Sequence, residues 1–519
     1  MEKAAGEDET VEARETAAAP IAGAPAAKKR KEGSGAMVGP PGAGICDDVL
    51  RNIFARLPAR DAVACMALSK HHCNLICSTE FRSLHCRLGA PLPRPHIAYI
   101  VTVPVRRRPE QEDAVGQFYG FHVAGAGLRD HAPVRAIAGS RYLGKKYINN
   151  CNGIVLLADE EFSVTCSCIL WNPAIADAAK EVTIPDQSPE REYRVLGLGY
   201  GRRSKTYKIL LCRKQTHWIC NREHTNRKGR CTCGDAIHIE YSLATYTVGD
   251  KENQPQLRTV LSDNMDAWIG HESLYMDGTS YLLHVEKLLI LAVHVDDETV
   301  TTIDLPGESK LGRTVLMELY GRPCMFMYDG TRYTLWLLSL DHQWEQRFVT
   351  NDKSCASVAG IWDCSGLLLI YFNDAWYNGK VCLYNVATEK MLEANLPSDM
   401  ELDWSNYAIC WGYRPTLVSP ESIVGVVNQG KERRRDRSAG ILHKLKPINE
   451  QDKRKGQEEM LDTVCFMEFL VGIMQKLPDD LQDVVEMSLM DAEGALNTGY
   501  YTDLLVNDVE ESHDLSYSL

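Results

Sequence analysis

The densest set of side chains able to hold a metal lies between residues 217 and 233, where His217, Cys220, His224, Cys231 and Cys233 bring imidazoles and thiols into one short stretch. Zinc takes four such ligands in a tetrahedron. The spacing fits no standard finger, because one residue separates Cys231 from Cys233 and strand-like runs flank the stretch on both sides. A polar, basic insertion without metal is therefore the expectation, and its Arg222, Arg227, Lys228 and Arg230 equally make a positive patch for an acidic partner. No other constellation recommends catalysis. The chain has no Gly-x-Ser-x-Gly, no Gly-rich phosphate loop ending in Lys-Ser or Lys-Thr, and no His-Glu-x-x-His. Its Asp, Glu and His residues are dispersed, so no catalytic residue and no cofactor are assigned.

A chain of 519 residues, 45% apolar and 24% charged, has room for two or three domains with a sizeable core. No uninterrupted apolar stretch approaches the roughly 20 residues needed to span a bilayer. The first residues, MEKAAGEDETVEARE, are acidic where a secretory leader would be basic and then apolar. An intracellular protein of the nucleus and/or cytoplasm is expected, with no membrane partner. The 18 cysteines scatter through strand-like and helix-like runs, which in a reducing compartment argues for buried thiols over a disulfide framework. A net charge of -13 disfavours wholesale nucleic-acid binding.

The elements that would position a working surface begin at Ile45. Ile45, Val49, Leu50, Ile53, Phe54 and Leu57 recur at three- and four-residue steps, which puts them along one side of a helix. Pro58 stops that helix, because it lacks the amide donor and biases the preceding residue away from helical torsions. Val63, Met66 and Ala67, then Leu75, Ile76 and Phe81, follow with little linker, so three short helices are expected over residues 44–88. So small a unit cannot bury a satisfying core alone and should use apolar surface to hold a partner.

In order, Asp47-Asp48-Val49-Leu50, Ile53-Phe54, Arg56-Leu57-Pro58, Leu68-Ser69-Lys70 and Leu75-Ile76, closed by Phe81, resemble the F-box, the motif by which substrate receptors dock on the Skp-type adaptor of cullin ubiquitin ligases. Two departures stand out. The usual Leu-Pro opening is Ile45-Cys46 here, and the usual tryptophan of the third helix falls on His72. The resemblance implies an adaptor contact made by Ile45, Val49, Leu50, Ile53, Phe54, Leu57, Pro58, Val63, Leu68 and Lys70.

Residues 95–427 change to short runs rich in Val, Ile, Leu, Tyr and Trp between Gly, Asn and Asp turns, an all-β signature. An apolar strand followed by a polar turn residue recurs, and measured from Asn172, Ser242, Asp296, Asp341 and Asn385 the steps are 70, 54, 45 and 44 residues. Steps of about 45 to 50 are those of propeller blades, whose four-stranded sheets bury both faces only by stacking. A β-sandwich is the alternative. Asn150-Cys151-Asn152-Gly153, Trp171-Asn172-Pro173, Leu198-Gly199-Tyr200 with Tyr207-Lys208-Ile209, Tyr275 to Tyr281, and Ile303-Asp304-Leu305-Pro306 are similar in order to the plant F-box-associated interaction domain, a recognition module. Asp277 stands in the place of its usual asparagine. Asn152-Gly153 and Asp277-Gly278 suit tight turns with positive φ, and Asn172-Pro173 suits turn initiation, so these residues read as framework. Recognition then belongs to the variable loops, and its protein target is unknown.

The remaining segments read from composition. Residues 1–43 form a disordered leader carrying the cationic cluster Lys28-Lys29-Arg30-Lys31, a nuclear-address pattern. Of Trp336, Trp344, Trp362, Trp376, Tyr377, Trp404 and Trp411, most read as propeller core and Trp376-Tyr377 as the candidate surface contact. Residues 428–458 form a basic linker, 459–490 a helical segment with a Met- and Leu-rich face that packs on the propeller or binds another chain, and 491–519 an acidic disordered tail. Leu477-Pro478 starts a further helical run, Leu481 to Leu489. The fold class is thus a small three-helix F-box followed by a β-propeller-like domain. The resemblance implies the function of a non-catalytic substrate receptor bound through the Skp-type adaptor to a cullin. An adaptor-independent nuclear scaffold and a zinc-containing nucleic-acid binder are the alternatives.

Overall fold

The computed structural model describes residues 45–92, 94–105, 116–125, 135–139, 145–175, 179–184, 191–219, 236–249, 257–261, 269–284, 287–306, 314–328, 331–350, 357–364, 366–373, 380–388, 390–395, 407–424, 463–464 and 466–475. The leader and its cationic cluster, the basic linker, the run Leu477 to Leu489, the acidic tail, and Trp376, Tyr377 and Trp404 lie outside these residues. The chain divides into two units, Met1–Cys46 and Asp47–Leu519. Of the first only Ile45 and Cys46 are described, and both are exposed.

Among the described residues, the strand-rich runs form six four-stranded antiparallel sheets, the blades of a propeller. The second blade runs β4 (Lys145–Cys151), β5 (Ile154–Asp159), β6 (Ser167–Trp171) and β7 (Ala179–Thr183). The third is β8 (Arg191–Tyr200), β9 (Tyr207–Ile219), β10 (Ala236–Thr247) and β11 (Leu257–Leu261), and the fourth β12 (Ile269–Met276), β13 (Thr279–His284), β14 (Leu289–His294) and β15 (Thr299–Asp304). The fifth is β16 (Thr314–Leu319), β17 (Arg322–Tyr328), β18 (Tyr333–Leu338) and β19 (Trp344–Thr350), and the sixth β20 (Ser357–Asp363), β21 (Leu367–Asn373), β22 (Lys380–Asn385) and β23 (Lys390–Asn395). The first strands of these blades neighbour one another around the axis. Because each sheet is sandwiched, its inner strands are buried on both faces, as the middle strand β5 and the first strand β8 are along nearly their whole length.

The recurring polar residue marks the end of the third strand in the second, fourth, fifth and sixth blades. Asn172, Asp296 and Asp341 lie shortly beyond β6, β14 and β18, and Asn385 is the last residue of β22. Ser242 does not, since it falls inside β10, which runs on to Thr247. The 70-residue step therefore reflects the long β9–β10 hairpin, paired from Ile219↔Ala236 to Lys208↔Thr247, and not a displaced blade. Two of these asparagines make the same turn: Asn172 Oδ1 accepts the amide of Ala174 at 2.9 Å, and Asn385 Oδ1 that of Ala387 at 2.9 Å. The first hairpins use left-handed pairs at Asn152-Gly153 (φ 51° and 75°) and Asp277-Gly278 (φ 51° and 93°), the geometry of two-residue turns that follow the strand twist. A Cβ on Gly153 would also lie 2.7 Å from the carbonyl oxygen of Arg414, so close backbone approach excludes any other residue there.

Closure of the ring comes from the far end of the chain. The first blade has the order β24-β1-β2-β3, in which β1 (Ile97–Val105), β2 (Gly116–Ala124) and β3 (Arg135–Gly139) are joined by β24 (Tyr407–Ile409). That junction is three residue pairs long, Tyr99↔Ile409 to Val101↔Tyr407. Side chains of the second blade reinforce it. Asn150 Nδ2 donates to the carbonyl of Trp411 at 2.8 Å, Asn172 Nδ2 to those of Thr416 at 2.9 Å and Val418 at 2.7 Å, and Thr416 Oγ1 to that of Asn152 at 2.6 Å. The framework asparagines thus hold the returning strand, and α5 (Pro420–Val424) follows against β7.

Each of the six blade junctions has its own apolar cluster, and one differs in kind. Between the first and second blades, Ala98 and Ile100 of β1 meet Val155, Leu157, Ile169 and Trp171 directly. The opposite face of β1, Ile97, Tyr99 and Val101, meets the sixth blade through helical residues 466–475, whose Phe466, Met467, Leu470 and Val471 pack with Leu367, Leu369 and Tyr371 of β21. Residues 466–475 of the Met- and Leu-rich segment thus pack at the seam where the ring closes. Gly125 permits the approach: a Cβ there would lie 2.1 Å from Cγ1 of Val471. Trp336, Trp344, Trp362 and Trp411 border apolar clusters of the last blades. The 13 described cysteines are all free, and eight are buried. Among the described residues no helix is long and apolar enough to cross a membrane.

Leu470 is fully buried in the seam, whereas Leu340 is 94% exposed. Leu470→Ala is expected to lower the unfolding free energy of the full chain by about 2–5 kcal/mol. Leu340→Ala should change it by less than about 0.5 kcal/mol, both read from urea denaturation.

Candidate docking face of the helical module

Four helices, one more than the sequence spacing predicts, precede the propeller: α1 (Asp47–Phe54), α2 (Ala59–Cys65), α3 (Lys70–Cys77) and α4 (Thr79–Leu88). Ser78 makes the extra break. At φ -65° and ψ 147° it ends α3, donates to the carbonyl of Leu75 at 2.8 Å, and caps α4 by accepting the amide of Phe81 at 3.2 Å. Asp47 and Asp48 sit in the first turn of α1, where carboxylates favour the positive end of the helix dipole. Pro58 precedes α2 at φ -53°, a torsion its ring already imposes. Ser69 accepts the amide of His72 at the start of α3.

The apolar residues of the module divide between two surfaces. Phe54, Ala55, Ala59, Ala62, Leu75, Ile76 and Phe81 form its core, and Leu417, from the segment beyond β24, completes it. Facing solvent are Val49 at 47%, Ile53 at 48%, Val63 at 42% and Leu68 at 66% exposure, with Ile45 at 61% on the preceding unit. These five are half of the ten large apolar side chains exposed among the described residues, and all come from residues 45–68. Four of the five belong to the helical module, and that concentration makes its outer side the candidate docking face, since single exposed apolar residues are otherwise scattered.

The residues singled out in the sequence fall in three places. Ile45, Val49, Ile53, Pro58, Val63, Leu68 and Lys70 are exposed, Leu50 and Leu57 are half-buried, and Phe54 is 8% exposed. Helical spacing cannot separate Ile53 from Phe54. Adjacent residues on a helix point about 100° apart, and here one faces out while the other meets the edge of the His72 ring at 5.5 Å between centroids. His72 is half-buried, and its Nδ1 lies 2.8 Å from the hydroxyl of Ser69.

His85 was not anticipated as a structural residue. It is 1% exposed, and its Nε2 lies 3.1 Å from the carbonyl of Leu57, tying α4 to the turn before Pro58. Burial pushes its pKa down, against the pull of the Leu57 carbonyl, and nearby Arg414 lowers it further. Arg414 also donates to the carbonyl of Gly89 at the end of α4. Leu417 and Arg414 thus join the module to the ring-closing segment.

Of the metal candidates, His217 lies on β9 opposite His238 of β10, while Cys220, His224, Cys231 and Cys233 lie outside the described residues. No group of three or more His, Cys, Asp or Glu with metal-binding geometry occurs among the described residues.

Comparison with known proteins matches residues 44–84 to the F-box domain. No curated protein matches the chain. Solved structures it is similar to include an oligogalacturonate lyase in complex with manganese, at 10% identity and TM-score 0.34 over 59% of this chain and 80% of that one. A second is the β-propeller domain of Myceliophteria thermophila Cps50 (Swd1), at 9% identity and TM-score 0.31 over 57% of this chain and 88% of that one. The chain therefore carries an F-box domain followed by a six-blade propeller.

Two buried histidines set a pH dependence. Besides His85, His122 of β2 is 5% exposed and stacked on Tyr99 at 5.2 Å, and burial pushes its pKa down to about 4. Both folded values lie below the unfolded value of about 6.5, so the stability they contribute is complete above that pH and is lost as pH falls toward the folded values. The melting temperature of the full chain is expected to drop between pH 7 and pH 5. His85→Phe, placed beside Phe81, is expected to reduce that drop, and an unchanged slope would contradict the assignment.

Proposed function

We propose that this chain is the substrate-recognition subunit of a Skp-cullin-F-box ubiquitin ligase. The observation that carries this is the coincidence of the F-box match with the concentration of exposed apolar side chains on residues 45–68. In this reading Val49, Ile53, Val63 and Leu68, with Ile45, Pro58 and Lys70, meet the Skp-type adaptor, and through it a cullin. Leu50 and Leu57 flank that contact, and Phe54 shapes it from the core.

The subunit is not a catalyst. A ubiquitin-conjugating enzyme supplies the thioester, and the propeller holds a target protein so that its lysine reacts at high effective concentration. A rigid ring favours that task, because fixing one end of the target leaves little conformational freedom to lose. The order of Asn152-Gly153, Asn172-Pro173 and Ile303-Asp304-Leu305-Pro306 supports a domain of the plant F-box-associated kind, working in the nucleus or cytoplasm. Asn152-Gly153 and Asn172 make turns and closure ties of the ring and Ile303-Asp304 end β15, so the target contacts belong to other loops.

Ile53→Asp combined with Leu68→Asp is expected to reduce capture of a Skp-type adaptor by the full chain about a hundredfold or more, since each buries a charge in an apolar contact. Thermal melting should change little, because both side chains face solvent in the free protein. Undiminished capture would refute the docking face.

A further inference from the structure

The face of α4 that carries Arg82, Cys86 and Arg87 lines a cavity of about 1090 Å³. Its other wall is built from the first-hairpin turns of the second to fifth blades and the segment beyond β24, at one end of the propeller axis. Ligand pockets run from about 300 to 1,000 Å³, so this one is large enough for a small molecule.

Its charge is opposite to that of the protein. Arg82 and Arg87 enter from α4, Arg202 and Lys205 from the β8–β9 turn, and Arg414 from the closing segment, against the two carboxylates of Asp277 and Glu318. Five cations and two anions converge in a chain whose net charge is -13. Arg202 is already paired with Asp277, and Arg414 is held by the Gly89 carbonyl. Arg82, Arg87 and Lys205 have no ion-pair partner among the described residues. Burial raises the pKa of Glu318, partly offset by Arg94. Like charges gathered in a partly enclosed space repel one another, and an anion between them relieves that repulsion and gains charge-assisted hydrogen bonds.

We propose that this cavity binds a compact polyanion of the phosphorylated small-molecule class, held between α4 and the propeller. α4 lines the cavity on one side and four blades wall it on the other. Because the cations come from the helical module and from the ring alike, the ligand ties the module to the ring. The site is separate from the adaptor face and stands or falls independently of it.

Tripolyphosphate titrated calorimetrically into the full chain is the direct probe. Saturation at one site per chain is expected, weakened about tenfold or more by Arg82→Gln with Lys205→Gln. Arg347→Gln, an exposed arginine outside the cavity, should leave the affinity unchanged. The doubly substituted protein should melt like the parent without ligand and still capture the adaptor, which separates failure of this site from failure of the docking face. No saturable binding, or equal weakening by Arg347→Gln, would overturn the proposal. Tighter binding of a phosphoserine-containing acidic peptide at the same residues would overturn the small-ligand class.

Discussion

A ring of stacked sheets covers the outer faces of its first and last blades only when the two ends of the chain meet, and here the far end completes the first blade through three residue pairs between β24 and β1. So short a ladder is weak alone. It holds because the chain on either side is fastened by other means. Asn150 and Asn172 bind the carbonyls of Trp411, Thr416 and Val418 from the second blade, and helical residues 466–475 fill the seam with the sixth. A buried asparagine donating to two carbonyls satisfies acceptors that an irregular segment would otherwise leave unpaired, at a cost of about 1–3 kcal/mol each.

The same segment that closes the ring reaches the helical module. Leu417 enters the core made by Phe54, Leu75, Ile76 and Phe81, and Arg414 holds the end of α4. A four-helix unit of this size buries too little on its own, and one leucine from the propeller supplies part of what it lacks. That shared segment holds α1 and α2 in a fixed relation to the ring, which on the proposed reading as a substrate receptor serves proximity-driven transfer.

Legibility followed locality. The turns at Asn152-Gly153 and Asp277-Gly278 could be read because positive φ is imposed by two adjacent residues. Blades four to six could be read because their third strands end in a polar turn at nearly constant steps. The third blade defeated that count, since β9 and β10 extend past the common length and Ser242 sits within a strand. Leu417 gave no signal: it stands in the run Arg-Pro-Thr-Leu-Val-Ser-Pro, which has neither helical nor strand period, and only the folded chain brings it to the module. The cavity under α4 was equally hidden, because its walls come from turns of separate blades. On the helices, spacing identified the apolar residues but not their direction, so Ile53 and Phe54 looked alike until the core was placed.

The coupling of module and ring through residues 407–418 is tested most directly by hydrogen exchange of the intact chain in increasing sub-denaturing urea. The amides of Ile100 in β1, Ile409 in β24 and His85 in α4 should converge on one opening free energy, because closing strand and helical core share the same segment. Exchange of His85 through an opening several kcal/mol lower than that of Ile100 and Ile409, with the propeller still protected, would contradict that coupling and leave the module as an independently folding appendage.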